Sequence, residues 1–300
     1  MVCDFRCSSR RLALALAAIV FALSATPAHA QTNLRWKFAA GDKLQYTLAQ
    51  KITSVGITAG MEITTTSDVT MDLHWDIKSV DANGVADMTQ TIDRVRFKMN
   101  APLTAIEFDS QAQAKPEEVV SSALTSLMGG LVKVPFSLKV TPQGEPKDFV
   151  VPEKVLKQIK SSPVAANLGP LFTAQGLEQL LTEVLIPFPA EPVAKGHRWE
   201  RKLESKTQTI ETQYTYIGPE AREGRELEMV TYTTKLTLPA AARVVIKTQK
   251  AEGKLAFDLA AGRIVDSSVE QSAEMEILVG DMKTTRKVSS SSSVKLVPGK

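Results

Sequence analysis

Beyond Cys7 the chain contains no cysteine, and only two are present in 300 residues. Once the N-terminal leader described below is removed, this excludes disulfides, thiolate metal sites and a cysteine nucleophile together. Aromatic residues make up 6% of the chain, which argues against a sugar-stacking or aromatic-caged site as the main activity. Histidine is scarcer still: of three, His29 falls in the leader, leaving His74 and His197. There is no G-x-S-x-G elbow, no H-E-x-x-H helix and no glycine-rich phosphate loop. The only long apolar run, Leu12 to Leu23, falls short of the roughly 20 residues that span a bilayer.

That run instead completes an export signal. Arg6, Arg10 and Arg11 precede it, and Ala28-His29-Ala30 supplies the small residues of a cleavage site. Residues 1–30 are therefore expected to be a cleaved signal peptide, with the mature protein periplasmic or extracellular and without a transmembrane anchor. Ser9-Arg10-Arg11 also resembles a twin-arginine start, although Leu12-Ala13-Leu14 departs from that pattern, so the export route stays open. Both cysteines leave with the leader. So do three of 36 basic residues and Asp4 of 33 acidic ones, which makes the mature charge 33 − 32 = +1. Such a surface has no electrostatic footprint for nucleic acid.

What remains reads as an α+β chain, mainly long antiparallel curved β-sheet, half-barrel or sandwich-like, with a helical insertion in the middle. The expected divisions are a β region at 31–110, a helical segment with a proline-rich linker at 111–191, and a second β region at 192–300, compact with the first. From Met61 to Ile77 odd positions are mostly apolar and even positions polar, the period of a half-buried strand. Such a strand would span about 55 Å, so strong curvature or a bend near Thr65 to Ser67 is implied. Asn83-Gly84 predicts a type I′ hairpin pairing Trp75 with Ile92 and Ser79 with Met88. The apolar phase then slips to Val95, Phe97 and Met99, which requires a bulge near Asp93 and Arg94.

A second hairpin turns at Gly280-Asp281 and sets Glu274 opposite Lys287, with Arg286 awkwardly on the apolar side. Further strands are expected at 199–218, 225–238, 243–259 and 263–279, and the serine run 289–293 lies inside a solvent-facing strand. Three helices are expected between the β regions. One opens at Pro116 and carries Val120, Leu124, Leu127 and Met128 before Gly129-Gly130 stops it. A short one follows Pro152. The third, Ala174 to Leu185, has Leu177, Leu180, Leu181, Val184 and Leu185 at helical spacing. The stretch IPFPAEP, Ile186 to Pro192, ends it as a rigid linker.

Gly196-His197-Arg198-Trp199 launches the later strands much as Gly41-Asp42-Lys43-Leu44 launches the first ones. Either a duplicated β half or the common habit of strands starting after glycine accounts for this. Gly41, Gly196 and Trp199 are read as structural anchors, with His197 as a polar passenger. His74 shares a strand face with Asp72 and Asp76 and lies near Asp93, a conceivable metal site that reads better as a wet polar face. Ser292-Ser293-Val294-Lys295 matches S-x-x-K without the partner motifs of that chemistry. No catalytic residue, metal or cofactor is expected.

The strand opener FAAGDKLQYTL, the triplet at Phe108 to Ser110, the passage IPFPAEPVAKGHRWERKL and LAFDLAAGRIVDSSVE together resemble a family of uncharacterised secreted bacterial proteins, a domain of unknown function. Its most specific element is Pro192, Val193, Gly196 and Trp199. The resemblance implies secretion and a β-rich fold, and no catalytic residues. A fainter architectural resemblance is to periplasmic lipoprotein carriers, in which helices cover an unclosed barrel. Three functions follow as alternatives. The first is a non-enzymatic protein binding a hydrophobic or lipid-like ligand between helices and a curved sheet, lined by Leu124, Leu127, Met128, Leu177, Leu180, Leu181 and Val184. The second is a structural or protein-interaction module of the cell envelope, and the third a hydrolase.

Overall fold

The computed structural model describes residues 31–298 except 59, 103, 113–125, 163–172, 206–207, 240–242 and 280–281. The leader and Leu124 lie outside the described residues. Twelve strands form one antiparallel sheet: β1 (Lys43–Thr58), β2 (Met61–Val80), β3 (Ala86–Ala101), β4 (Thr104–Asp109), β5 (Pro135–Val140) and β6 (Pro146–Val150) from the first half. The second half supplies β7 (Arg198–Glu204), β8 (Thr209–Arg222), β9 (Arg225–Thr237), β10 (Val244–Asp258), β11 (Arg263–Val279) and β12 (Met282–Val297). Their order is β6-β5-β3-β2-β1-β12-β11-β10-β9-β8-β7, with β4 beside the outer part of β3. Pairing of β1 with β12 joins the halves.

The sheet must be strongly curved. Trp36 N donates to Pro142 O beyond β5, and Lys37 N donates to Gly262 O in the β10–β11 turn. In a flat sheet β5 and β10 would lie six strand spacings apart, about 29 Å, whereas adjacent Cα atoms are only about 3.8 Å apart. The α+β expectation holds in outline, but the balance is mostly β. The helices among the described residues are a turn at 126–129, α1 (Glu153–Ser161) and α2 (Ala174–Leu181). The sandwich alternative gives way to a single open sheet.

Alternation places the core on the concave face. Leu44, Tyr46 and Leu48 of β1 pair with Trp75, Leu73 and Met71 of β2, and this parity continues through β12 and β11. The β2–β3 hairpin contains the expected bulge: Asp72 pairs with Arg94 and Leu73 with Ile92, which leaves Asp93 unpaired. Its turn differs from expectation. Gly84 has φ 79° while Asn83 is not left-handed, because the Asp81 carboxylate accepts from the backbone N–H groups of Asn83 and Val85. Trp75 therefore faces Gln90, and Ser79 faces Asp87, with a second register shift between Ile77 and Ser79.

Glu274 faces Lys287 as the sequence implies. Arg286 is exposed opposite Met275, at the far end of the strands, where Met61 and Ile63 are also exposed on the same face. The strand expected over 199–218 is two strands, broken where Ser205 N and Oγ both donate to Gln208 O. No glycine or proline marks that turn. The β5–β6 hairpin lies within the segment read as helical; Phe136, Leu138 and Val140 are buried alternately along it.

The third helix ends at Leu181 rather than Leu185. Thr173 Oγ1 caps its start by accepting from Gly176 N, and Thr182 Oγ1 donates back to Glu178 O at its end. Buried Gln90 of β3 donates to Leu181 O at 2.8 Å and ties the helix end to the sheet.

Candidate ligand cavity

Between the helices and the concave face lies a cavity of about 410 Å³. Its sheet wall comes from β1, β2, β3, β4 and β12, with Leu48, Ile52, Val69, Met71, Phe97 and Met99 prominent. Val95, Ile106 and Val294 continue that wall, and Met128, Leu131, Leu177 and Leu180 roof it. Ile52, Val69, Phe97, Met99, Met128 and Leu180 are only half-buried, so the space is open rather than filled by their side chains. Ligand sites in proteins commonly fall at ~300–1,000 Å³ and are mainly apolar with a few polar groups.

One end of the trough is plugged by aromatic rings. Trp36 lies 6.0 Å from Trp75 and 5.9 Å from Phe257, and Phe257 meets Phe188 edge-on at 4.8 Å. The Trp36 indole N–H donates to Ile186 O at 3.1 Å and that of Trp199 to Pro187 O at 2.8 Å. The proline-rich stretch is thus held by both indoles.

Most of the polar lining lies on β1, β12 and the segment after α2, while Ser67 of β2 lines the wall opposite Met99. Glu183, just past α2, is the sole ionisable side chain on the cavity wall among the described residues and lines it together with Gln50 and Ser292, whose Oγ accepts from Gln50 Nε2 at 3.2 Å. A second, water-sized cavity of about 30 Å³ lies beyond Glu183, bounded by Val184, Tyr232, Ser267 and Ser292. There Tyr232 OH and Ser267 Oγ are 3.3 Å apart. Gly253 makes room for that ring, since a Cβ on it would lie 2.2 Å from the Tyr232 ring. Glu183 is exposed by accessible surface and lines both cavities. Burial pushes its carboxyl above the usual carboxylate range. No hydrogen bond or ion pair holds it among the described residues.

Of the residues expected to line a ligand site, Met128, Leu177 and Leu180 lie on the cavity wall. Val184 lines the small neighbouring cavity, while Leu127 and Leu181 pack in the core at 1% and 0% exposure. Leu124 lies outside the described residues. The sheet wall and Glu183 are additions. Alternation had already marked Val69, Met71, Phe97 and Met99 as apolar, but not as cavity rather than core. The anchors Gly41 and Gly196 start β1 and β7 at φ 89° and 87°, and Trp199 stacks on Tyr214 at 5.3 Å.

His74 lies on the convex face within an ion-pair network. Its Nδ1 is 2.6 Å from Asp93 and its Nε2 3.2 Å from Asp76. Those carboxylates also serve Lys133 at 2.5 Å and Lys43 at 3.3 Å, while Asp72 turns to Arg96 at 2.9 Å. Burial acts to raise the Asp93 carboxyl, but hydrogen bonds from Lys133 and His74 outweigh it and hold the group below its usual value. Among the described residues no cluster of three or more histidine, cysteine or acidic side chains is placed to hold a metal. His197 is exposed, with its ring 6.4 Å from Trp199. Ser292 faces the cavity and Lys295, three residues on in β12, points to the opposite face. No described helix is long and apolar enough to cross a membrane.

These features define an open, helix-covered antiparallel sheet around an apolar cavity. Residues 83–218 match a family of unknown function, DUF6263, so the resemblance to a domain of unknown function holds over that stretch. No curated protein matches the sequence. Among solved structures, the chain is similar to lipovitellin, from a study of its lipid–protein interactions, at 12% identity and TM-score 0.49. That match covers 87% of this chain and 26% of lipovitellin, so the chain spans about a quarter of its length. A DUF1329 family protein from Desulfovibrio piger is similar at 7% identity and TM-score 0.16, covering 82% of this chain and 84% of the other. DynF, from the dynemicin biosynthesis pathway of Micromonospora chersina, matches at 8% identity and TM-score 0.21, covering 87% and 90%. At these scores the likenesses carry no functional weight.

Proposed function

We propose that this is an exported, non-enzymatic protein of the periplasm or outer envelope that carries or senses a hydrophobic, lipid-like ligand. The observation that carries the reading is the cavity of about 410 Å³, whose walls are mainly apolar with a few polar groups. An apolar space of this size left open in a folded protein forfeits packing, since interiors normally approach crystal density. A ligand that fills it restores those contacts. The test is native mass spectrometry of the protein purified without detergent: the expected result is an added mass that organic extraction removes. A bare mass, together with no uptake of lipid from vesicles, would count against a ligand-binding role.

A second reading, an envelope interaction module, is favoured by Met61 and Ile63, which are 68% and 55% exposed near the β1–β2 hairpin. It predicts crosslinks from that hairpin to another envelope protein in intact cells.

A further inference from the structure

The cavity is chemically lopsided. Phe97, Met99, Ile106 and Met128 give it an apolar part, whereas its ionisable chemistry among the described residues is a lone carboxylate, Glu183, on a wall that also carries Gln50 and Ser292. Among the described residues no lysine, arginine or histidine lines either this cavity or the small one beyond it, and Tyr232 is the one other titratable side chain on their walls. A carboxylate or phosphate head group entering here would therefore meet no cation among the described residues, and would meet a like charge when Glu183 is ionised. A cationic donor would meet a carboxylate that has no partner among the described residues. Resting on the reading of the cavity as a ligand site, we propose that its ligand is an amphiphile with a protonated amine head group, which pairs with Glu183 while its chain lies against Phe97, Met99 and Met128.

The physical argument is one of compensation. Glu183 stands on the walls of both cavities with no partner among the described residues, and partial desolvation there raises its carboxyl. An ammonium group held against it supplies the opposite charge and the hydrogen bond that the protein does not. Ser292 Oγ, already accepting from Gln50, has a further lone pair for a second ammonium hydrogen. The water-sized cavity on the far side of Glu183 leaves room for one ordered water between the head group and Ser267 or Tyr232. Dispersion along the apolar wall then holds the chain whatever the head group is.

That separation makes the inference testable apart from the reading it rests on. Three probes of one chain length, dodecylamine, dodecanol and dodecanoate, are titrated calorimetrically into the purified protein at neutral pH, below micelle-forming concentrations. The ammonium probe is expected to bind at least about tenfold more tightly than dodecanoate. In Glu183→Gln that preference should disappear while dodecanol affinity stays within about twofold. Glu183→Ala, made in parallel, gives the same comparison if the glutamine variant folds poorly. Equal binding of the three, tighter dodecanoate, or an unchanged preference in both variants overturns the head-group inference and leaves the cavity reading standing. If none of the three probes binds, both fall.

Discussion

Gly41 and Gly196 hold equivalent places in two copies of one turn. Their φ angles are 89° and 87°, and each N–H donates at 2.8 Å, to Ile77 O and Tyr216 O respectively. In each copy the next residue closes the turn onto an alanine, Asp42 N to Ala39 O at 3.0 Å and His197 N to Ala194 O at 2.9 Å. The carbonyls of Asp42 and His197 accept in turn from Ile77 N and Tyr216 N, both at 3.0 Å. Two residues further, Leu44 pairs with Trp75 and Trp199 with Tyr214. Both turns start a meander running in the same sense across the sheet. The side chains of Asp42 and His197 differ, so the repeat uses the backbone at that position and not the imidazole.

Alanine at either glycine should destabilise the protein by about 1–2 kcal/mol, because a left-handed residue with a Cβ costs about that much. An added Cβ meets nothing within 4 Å at either site, so backbone strain is the whole effect. Urea denaturation of G41A, G196A and the double variant measures it, with the two losses expected to add. Asparagine, which tolerates this conformation, should cost less than alanine. A loss confined to one site would mean that the turns are not equivalent in energy.

Much of the sheet was legible because its signals are local. Period-two alternation located β2, and the phase change from Met88 and Ile92 to Val95, Phe97 and Met99 demanded the bulge found at Asp93. The turn at Asn83-Gly84 misled because the Asp81 side chain, not the central dipeptide, selects its geometry. The β7–β8 turn carries no glycine or proline and left no mark. The cavity was half legible: leucines at helical spacing predicted its roof, while its sheet wall has the same alternation as a packed core. Whether facing side chains meet depends on curvature, which no local pattern states. Glu183 was missed for the same reason, since a carboxylate off the apolar stripe of the helix expected over 174–185 reads as solvated.

The two indole hydrogen bonds to the proline-rich stretch should differ in worth. Trp36 is 2% exposed and its acceptor, Ile186 O, lies in a buried contact, whereas the Trp199 contact to Pro187 O is part-buried. Phenylalanine at position 36 leaves a buried carbonyl unpaired and should cost about 1–3 kcal/mol, and W199F should cost less because water reaches Pro187 O. Chemical denaturation of both variants gives the order, and the reverse order would relocate the main clamp to Trp199.

The Asp109 carboxyl should titrate at about 2 in the folded protein, below its ordinary value of 3.8. Hydrogen bonding by Arg94 is the largest cause, through Nε at 3.0 Å and Nη2 at 2.5 Å, followed by the Gln111 backbone N–H. A carboxyl lowered on folding stabilises the native state above its unfolded value. The contribution of this pair is therefore complete above about pH 4 and is lost as pH falls toward 2. Carboxyl-carbon NMR titration of the wild type and R94Q checks it: the variant should return Asp109 toward 3.8. An unmoved value would assign the shift to the backbone contact.

Filling the cavity separates ligand binding from stability. Val69 is half-buried and faces the open space from β2. A tryptophan there places its ring where no side chain now lies, so the usual overpacking cost of about 1–3 kcal/mol should be reduced or absent. The same ring occupies the volume that a ligand chain needs. V69W is therefore expected to unfold within a few degrees of the wild type while its affinity for dodecanol falls by more than about tenfold, equivalent to about 1.4 kcal/mol. Leu177, which is 0% exposed, supplies the contrast: L177A removes packed atoms from the roof and should cost about 2–5 kcal/mol of stability. Thermal unfolding and calorimetry on the two variants test this division. A V69W protein that bound dodecanol as well as the wild type would place the ligand elsewhere on the sheet.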